Sequence, residues 1–187
     1  MDYKERYEKL LDEHRQVFET MDQEGMRQFV ETIKQYDRIF LIGVGREGMM
    51  TRAFAMRLMH MGKEIHWIWD DTTPGIGKGD LLIATLGDGR IGHIDYVCRR
   101  AKEAGAYIYV VTGSPSGSTA KEVADAVFFI PAAVYRGTDE VVPSAQPMGN
   151  LFEQSLLLNL DIVVMMLVDE IPELSFEKMA GRHRNIE

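Results

Sequence analysis

Two short glycine-rich segments are the first candidates for chemistry in this sequence. Gly43-Val-Gly-Arg-Glu-Gly48 follows an apolar run with the spacing G-x-G-x-x-G, and Leu86-Gly-Asp-Gly-Arg90 follows another apolar run. Glycines at these positions let a strand turn sharply into a helix whose first N–H groups face an anion. Asp70 lies roughly 20 residues beyond the first segment, where a dinucleotide-binding fold places its ribose acid. The segments predict an anion or nucleotide site, and a tight turn that only packs a helix on a sheet is the alternative.

The elements that position these loops are indicated by alternating apolar patterns along the chain. Residues 2–36 have helical spacing of their apolar members, with a bend or break expected at Gly25. Strand-like and helix-like runs then alternate; the strands are predicted at 38–43, 64–69, 80–85, 106–112 and 126–130, and the helices at 47–61, 91–104, 116–124 and 150–170. Such alternation is typical of parallel βαβ units.

The pattern therefore predicts an α/β fold of one domain over residues 1–187. It consists of a five-stranded parallel sheet flanked by helices, a helical N-terminal extension at 1–36 and a polar tail at 172–187, either docked or loose. Parallel sheets bind ligands beyond the carboxyl ends of their strands, where the strand order reverses. Function is accordingly expected in the loops that follow Ile42, Trp69, Thr85 and Thr112.

Composition restricts the class of protein and its partners. The 187 residues fit one domain, and the formal charge of −8, with no basic run, argues against nucleic acid or an anionic membrane as partner. The single cysteine, Cys98, excludes an intramolecular disulfide framework. No apolar run is expected to approach the roughly 20 residues that span a bilayer. The charged N-terminus lacks the apolar core of a signal peptide, so a cytoplasmic location is expected.

Several segments together resemble a known family of isomerases. They are, in chain order, Gly43-Val-Gly-Arg, Arg52-Ala-Phe-Ala-Met-Arg-Leu-Met-His60, Thr72-Thr-Pro74, Gly79-Asp-Leu-Leu-Ile83, Gln146-Pro-Met-Gly-Asn-Leu-Phe-Glu-Gln154 and Arg182-His-Arg-Asn-Ile-Glu187. The chain resembles the 6-phospho-3-hexuloisomerases, small members of the sugar isomerase (SIS) domain superfamily. The resemblance implies a homotetramer with shared active sites. It also implies interconversion of a 3-ketohexose 6-phosphate and fructose 6-phosphate without metal or cofactor.

The sequence departs from the family pattern in both glycine loops. The pattern has Ser where this chain has Glu47, and its second loop, Ser-Gly-Ser-Gly followed by an acidic residue and Thr, is replaced by residues 86–91. At ~5 Å and an effective dielectric of about 20, two like unit charges repel by about 3 kcal/mol. Carboxylates at Glu47 and Asp88 thus oppose a phosphate, whereas Arg46 and Arg90 offset them if they lie equally close.

The resemblance also nominates the residues that would perform the reaction. Moving a carbonyl between adjacent carbons requires a base for a carbon-bound proton and a group that shuttles protons between the oxygens. Glu153 matches the family's helix-start glutamate and is the expected base; a capping pair with Asn150 is the structural alternative. His183 matches the family's closing motif and is the expected proton shuttle in a neighbouring subunit, the alternative being a solvated tail. The expected substrate-binding residues are Gly45, Arg46, Glu47, Thr72, Gly87, Asp88, Gly89, Arg90 and Gln146.

Rival functions remain open on the residues alone. One is a domain that keeps the fold but binds a different carbohydrate derivative or serves as a regulatory module, which Glu47 and Asp88 favour. Another is a nucleotide-binding domain based on the first glycine loop and Asp70. A metal held by Glu47, Asp88 and His93 is a third, although their spacing does not demand it.

Overall fold

The computed structural model describes residues 2–137 and 139–186; Met1, Thr138 and Glu187, the last residue of the predicted tail, lie outside the described residues. Its helices are α1 Tyr3–Thr20, α2 Gln23–Gln35, α3 Gly45–His60, α4 Gly92–Glu103, α5 Ser118–Glu122, α6 Asn150–Glu170 and α7 Phe176–Gly181. Its strands are β1 Arg38–Ile42, β2 Glu64–Trp67, β3 Leu81–Thr85, β4 Tyr107–Thr112 and β5 Ala126–Phe129.

The five strands form one parallel sheet in the order β2-β1-β3-β4-β5. The chain adds β2 on one side of β1 and then returns to add β3 on the other side. The strand order therefore reverses between β1 and β3, and the loops that follow these two strands lie side by side. The predicted parallel sheet is confirmed, and its two glycine loops are neighbours.

Alternate residues of each strand serve two cores, one on each face of the sheet. Ile39 and Leu41 of β1 face a core shared with α2, α3 and α6, whereas Phe40 and Ile42 face a core shared with α4 and α5. All five residues of β3 are buried. Burial on both faces is the reason that the central strands appear in the sequence as continuous apolar runs.

The N-terminal region differs from its prediction at one point. The break between α1 and α2 lies at Met21-Asp22, not at Gly25, which is inside the first turn of α2. Asp22 explains this position because its side chain accepts a hydrogen bond from the N–H of Glu24 and so caps the new helix.

The expectation that no apolar segment approaches the length needed to span a bilayer is wrong for helix α6. It has 21 residues and a mean hydropathy of 1.8 over its most apolar stretch, so by length and composition alone it is capable of crossing a membrane. A core helix meets the same criterion. Here Leu156, Leu160 and Val163 of α6 are buried in the core that also contains α2 and α3.

The polar tail is docked through its last described turn. Helix α7 begins at its cap Ser175, and the Arg182 guanidinium donates to the carbonyl oxygens of His60 at 3.1 Å and Lys178 at 3.5 Å. These contacts place the tail at the C-terminal end of α3, the end opposite the first glycine loop.

Candidate functional site

A crevice of about 220 Å³ opens where the strand order reverses. Three groups of residues form it: the turn from β1 into α3, the loop after β3, and the segment that leads into α6. The lining residues are Val44, Gly45, Arg46, Glu47, Gly87, Asp88, Ile91, Val134, Tyr135, Met148, Gly149, Phe152 and Glu153. The sequence predicted the first two groups from their glycines.

Three helix N-termini contribute to the crevice lining, and none of them has a side-chain cap. The cap positions are Val44 of α3, Ile91 of α4 and Gly149 of α6, and all three line the crevice. The helix dipole favours a negative charge near all three starts. Within the described residues the first N–H groups of α3 and α4 remain free for a ligand, whereas in α6 the N–H groups of Asn150 and Phe152 donate to the carbonyl oxygens of Pro147 at 3.1 Å and Ala133 at 3.3 Å. Convergence of three such ends makes the crevice suitable for an anionic group such as a phosphate.

Glycine is required at two of these turns because the backbone passes too close for a side chain. A Cβ at Gly48 would lie 2.7 Å from the carbonyl oxygen of Gly43, so the last glycine of the motif lets α3 pack on β1. Gly149 has φ of +77° and a Cβ there would lie 2.8 Å from the N–H nitrogen of Tyr135. Met148 beside it also has positive φ, at +59°, which is unusual for a residue with a side chain.

Glu47 lies in the first turn of α3 with its side chain buried in the crevice wall. Its Oε2 accepts a hydrogen bond from the N–H of Gly87 at 2.8 Å. The pKa of Glu47 is raised to about 8, chiefly by burial; the hydrogen bond from the Gly87 N–H opposes the rise, and the charges of Asp88 and Glu153 add to it. The carboxyl group is therefore mostly neutral at pH 7, and the repulsion of phosphate expected from this residue is largely removed.

Arg46 and Glu153 form an ion pair across the crevice. Arg46 Nη1 donates to Glu153 Oε2 at 2.6 Å and to Asn150 Oδ1 at 2.9 Å. The pairing connects the start of α3 with the start of α6 and fixes the direction of the Glu153 carboxylate. The alternative that Asn150 caps α6 in a pair with Glu153 is wrong, because Gly149 is the cap and Asn150 is the first helical residue.

Asp88 is the third carboxyl group of the crevice lining, and it also makes a hydrogen bond. Its Oδ1 accepts a hydrogen bond from the N–H of Arg136 at 3.0 Å. The contact joins the loop after β3 to the segment that carries Val134 and Tyr135. Asp88 thus helps to hold this wall of the crevice in place.

The predicted site residues divide into two groups. The structure brings together Gly45, Arg46, Glu47, Gly87, Asp88 and Glu153. Gly89, Arg90 and Thr72 are not among the lining residues; Gly89 is buried against Gly117, while Arg90 and Thr72 are exposed in their loops. Gln146 faces α1, where its Nε2 donates to Glu13 Oε2 at 3.2 Å.

His183 lies far from the crevice of its own chain. Its ring stacks on the ring of His60 at a centroid distance of 5.2 Å, at the C-terminal end of α3. Glu47 and His60 are at opposite ends of this helix, about 20 Å apart at 1.5 Å per residue. Any contact of His183 with a crevice therefore involves another copy of the chain.

Sequence reasoning missed two buried polar residues of α1 that brace the site. Glu13 accepts hydrogen bonds from Ser144 Oγ at 2.7 Å and from the N–H of Ala145 at 2.8 Å. His14 Nε2 lies 2.9 Å from Oε1 of Gln154, and Gln154 is the residue that follows Glu153 in α6. Nothing in the charged pattern of residues 2–36 distinguishes these two side chains from their exposed neighbours. The lining residues of the segment before α6, such as Tyr135, also lacked a sequence signal.

The residues that suggested a nucleotide or a metal have other contacts. Asp70 pairs with Arg52 at 3.3 Å on the surface. The ring of His93 packs near that of Trp69, with centroids 6.2 Å apart. Within residues 2–137 and 139–186, no group of three His, Cys, Asp or Glu side chains is arranged to hold a metal ion.

Comparison with known proteins gives clear relatives. No protein-family model matches the chain. The chain is 35% identical over 160 residues to 3-hexulose-6-phosphate isomerase of Bacillus subtilis, covering 86% of this chain and 85% of the relative. It is 38% identical over 167 residues to the enzyme of the same name from Mycobacterium gastri, covering 89% and 82%. A crystal structure from Methanococcus jannaschii, for which a 3-hexulose-6-phosphate isomerase function was inferred, superposes with a TM-score of 0.83 at 30% identity, covering 98% and 99%.

The parallel sheet, its reversal point and the crevice there define a protein of the sugar isomerase (SIS) domain superfamily. Within that superfamily, the chain belongs to the 3-hexulose-6-phosphate isomerase family. It is an isomerase, and its substrate is a small sugar phosphate.

Proposed function

We propose that the protein interconverts a 3-ketohexose 6-phosphate and fructose 6-phosphate through an enediol, without a metal or cofactor. The observation that carries the proposal is the convergence of three helix N-termini, those of α3 and α4 with free N–H groups, on a crevice that also holds Glu153 and Arg46. The helix ends suit the phosphate, and the carboxylate suits removal of a proton from carbon. The names of the relatives from Bacillus subtilis and Mycobacterium gastri support the same reaction.

Glu153 is the proposed base. Its side chain is partly exposed to the crevice, and its Oε2 is oriented by Arg46. In the reaction the carboxylate removes the proton from the carbon that bears the hydroxyl, and the electron pair of that bond forms the enediol double bond. The same carboxyl group then returns the proton to the neighbouring carbon, so the carbonyl moves by one position.

Arg46 is proposed to orient Glu153 and to contact the substrate. Within the described residues its hydrogen bonds use Nη1 alone. Nε and Nη2 remain as donors, and the guanidinium fork is well suited to phosphate or hydroxyl oxygens. Gly45, Gly87 and Asp88 line the same crevice and are proposed to contact the sugar. Arg90, Gly89, Thr72 and Gln146 reach it only if their loops rearrange.

His183 of another copy is proposed to approach the sugar oxygens and take part in their proton exchange. An apolar groove of about 830 Å³ lies between α1, α3 and α6 and includes Arg46 at the crevice rim. Its exposed apolar side chains include Leu11, Phe18 and Leu158. Such a surface supports packing of copies against each other near the crevice, and a homotetramer is the proposed assembly.

The test is conversion of fructose 6-phosphate by the purified protein, followed by NMR of the carbon positions. We expect 3-ketohexose 6-phosphate to appear, and Glu153→Gln to reduce the rate by about 10³-fold or more. Glu103→Gln, an exposed glutamate on α4, is the matched control and should keep the wild-type rate. Absence of conversion and of exchange of the carbon-bound proton in the wild-type protein would contradict the proposal.

A further inference from the structure

Glu47 is a buried carboxyl group on the crevice wall, and the proposed reaction gives it no role so far. It stands where the family pattern has a serine, which is a hydrogen-bond donor. Within the described residues, the hydrogen bond from the Gly87 N–H to Oε2 is the one that the Glu47 carboxyl group makes. Oε2 is thus the acceptor, which leaves Oε1 to carry the proton of a neutral carboxyl group, and Glu47 is one of the residues that line the crevice.

Of the three carboxyl groups that line this crevice, those of Glu153 and Glu47 have unlike surroundings. Glu153 is partly exposed and its Oε2 faces the Arg46 guanidinium at 2.6 Å, which stabilises a carboxylate. Glu47 is buried beside a single backbone donor. The charged groups around Glu47 are Asp88 from the loop after β3, Glu153 from α6 and, on its own helix, Arg46, whose charge is paired with Glu153. This division resembles acid–base sites in which one carboxyl group is kept neutral and the other ionised.

We propose that Glu47 is a second catalytic carboxyl group, which donates its proton to the carbonyl oxygen of the sugar. This inference rests on the proposed isomerase reaction and assigns the proton transfers at oxygen. As Glu153 takes the carbon-bound proton, the electron pair forms the carbon–carbon double bond and the carbonyl oxygen takes the proton of Glu47. The Glu47 carboxylate then takes the proton of the adjacent hydroxyl as the new carbonyl forms, and Glu153 protonates the other carbon.

The scheme closes without any other reactant, because both carboxyl groups end in their starting protonation states. His183 of another copy is then a partner in the exchange and not its sole agent. Burial raises the pKa of Glu47 to about 8, which keeps the proton in place at neutral pH while leaving it transferable. A serine at this position can donate a hydrogen bond, but its hydroxyl group is a far weaker acid than a carboxyl group.

The experiment compares the wild-type protein with Glu47→Gln across pH 6 to 10. Glutamine keeps an acceptor for the Gly87 N–H and a donor toward the crevice, but it cannot transfer a proton. We expect kcat of this variant to fall by about 10²-fold or more, with KM changed by less than about threefold. We also expect kcat/KM of the wild-type protein to decline above pH about 8 and the variant to lose this decline.

Each outcome separates this inference from the proposed function. A wild-type protein that does not isomerise the sugar phosphate overturns the proposed reaction itself. An active wild-type protein with a Glu47→Gln variant of equal kcat and unchanged pH profile overturns only the role of Glu47. Glu103→Gln controls for the loss of a carboxylate, and thermal melting shows whether Glu47→Gln folds. If that variant does not fold, a wild-type profile without a decline near pH 8 overturns the inference.

Discussion

Arg46 Nη1 and Glu153 Oε2 lie 2.6 Å apart, although 107 positions separate the two residues in the chain. The pair joins the first turns of α3 and α6 across the crevice. Arg46 is about two-fifths exposed, so water screens the attraction and the pair contributes little to stability. Its importance is geometric, because it holds the carboxylate of the proposed base in one direction.

Arg46→Gln should therefore impair the reaction more than the fold. We expect kcat/KM to fall by about 10²-fold, since the variant loses both the orientation of Glu153 and a cation for the substrate. The melting temperature should change by no more than a few degrees. Steady-state kinetics and thermal melting check both statements. Arg100→Gln, on the exposed face of α4, is the control and should behave as wild type.

A second prediction concerns stability against pH. The pKa of Glu47 is raised by burial from 4.5 to about 8, so the unfolded chain releases this proton first as pH rises. The contribution of Glu47 is thus most favourable below pH 4.5 and declines until pH about 8. Glu47→Gln removes the decline and should be more stable than wild type by up to about 4 kcal/mol at pH 8. At pH 4 the two proteins should differ little.

Denaturant unfolding at pH 4, 6 and 8 measures this difference. The acidic residues whose folded pKa is lowered, such as Asp80 beside Arg38, change the stability of both proteins equally and cancel. Glu103→Gln, which removes an exposed carboxylate, controls for the loss of one negative charge. A constant difference between Glu47→Gln and wild type over this range would show that Glu47 is ionised in the folded protein.

The sequence was sufficient for the fold because each strand and helix carried a local signal. Apolar runs that stop at glycine located β1 and β3, and their order placed Gly45 and Gly87 at one edge of the sheet. The raised pKa of Glu47 was not predictable, since it depends on burial and on Gly87, Asp88 and Glu153, which are distant in the chain. Arg90 was expected among the substrate-binding residues, but it is exposed in the loop after β3 and is not among the residues that line the crevice. The hydrogen bonds from residues 144–146 to Glu13 depend on how α1 packs against the rest of the chain. No local sequence pattern indicates that packing.

The hydrogen bonds that Glu13 accepts from residues 144–146 lead to a third prediction. Burial by itself raises the pKa of Glu13, but hydrogen bonds from Ala145, Ser144 and Gln146 bring it below its usual value. Glu13→Gln replaces a carboxylate that accepts hydrogen bonds from three donors with a neutral amide. We expect the free energy of unfolding to fall by about 2 kcal/mol. The loosened segment leads to the crevice, so KM should rise several-fold. Asp12→Asn, on the exposed side of α1, is the control; equal KM values for both variants would contradict a positioning role.

Cys98 provides a fourth prediction, on reactivity. Burial against the sheet raises the pKa of this single thiol to about 12, so almost no thiolate forms at neutral pH. The folded protein should therefore resist aromatic disulfide reagents and react with one equivalent after unfolding in guanidinium chloride. Absorbance of the released thiol measures this. Complete reaction within seconds in the native protein would contradict the buried position of Cys98.

The last prediction tests whether the crevice is shared between copies. His183 stacks on His60 about 20 Å from the crevice of its own chain, given the length of α3. If it acts in a neighbouring crevice, Glu153→Gln and His183→Asn proteins complement each other when they are refolded together. Random mixing in equal amounts places both native groups at about a quarter of the crevices, and activity should recover to that extent.

A matched mixture makes this result specific. Glu47 and Glu153 line one crevice of the same chain, so Glu47→Gln mixed with Glu153→Gln should recover nothing. Mass spectrometry of the intact assemblies confirms that chains have exchanged in both mixtures. A His183→Asn protein that is as active as wild type by itself would remove His183 from the site, and chain exchange without recovery would show that His183 does not act in a neighbouring crevice. Proton exchange at the sugar oxygens would then fall to Glu47, because it is the neutral carboxyl group in the described crevice lining.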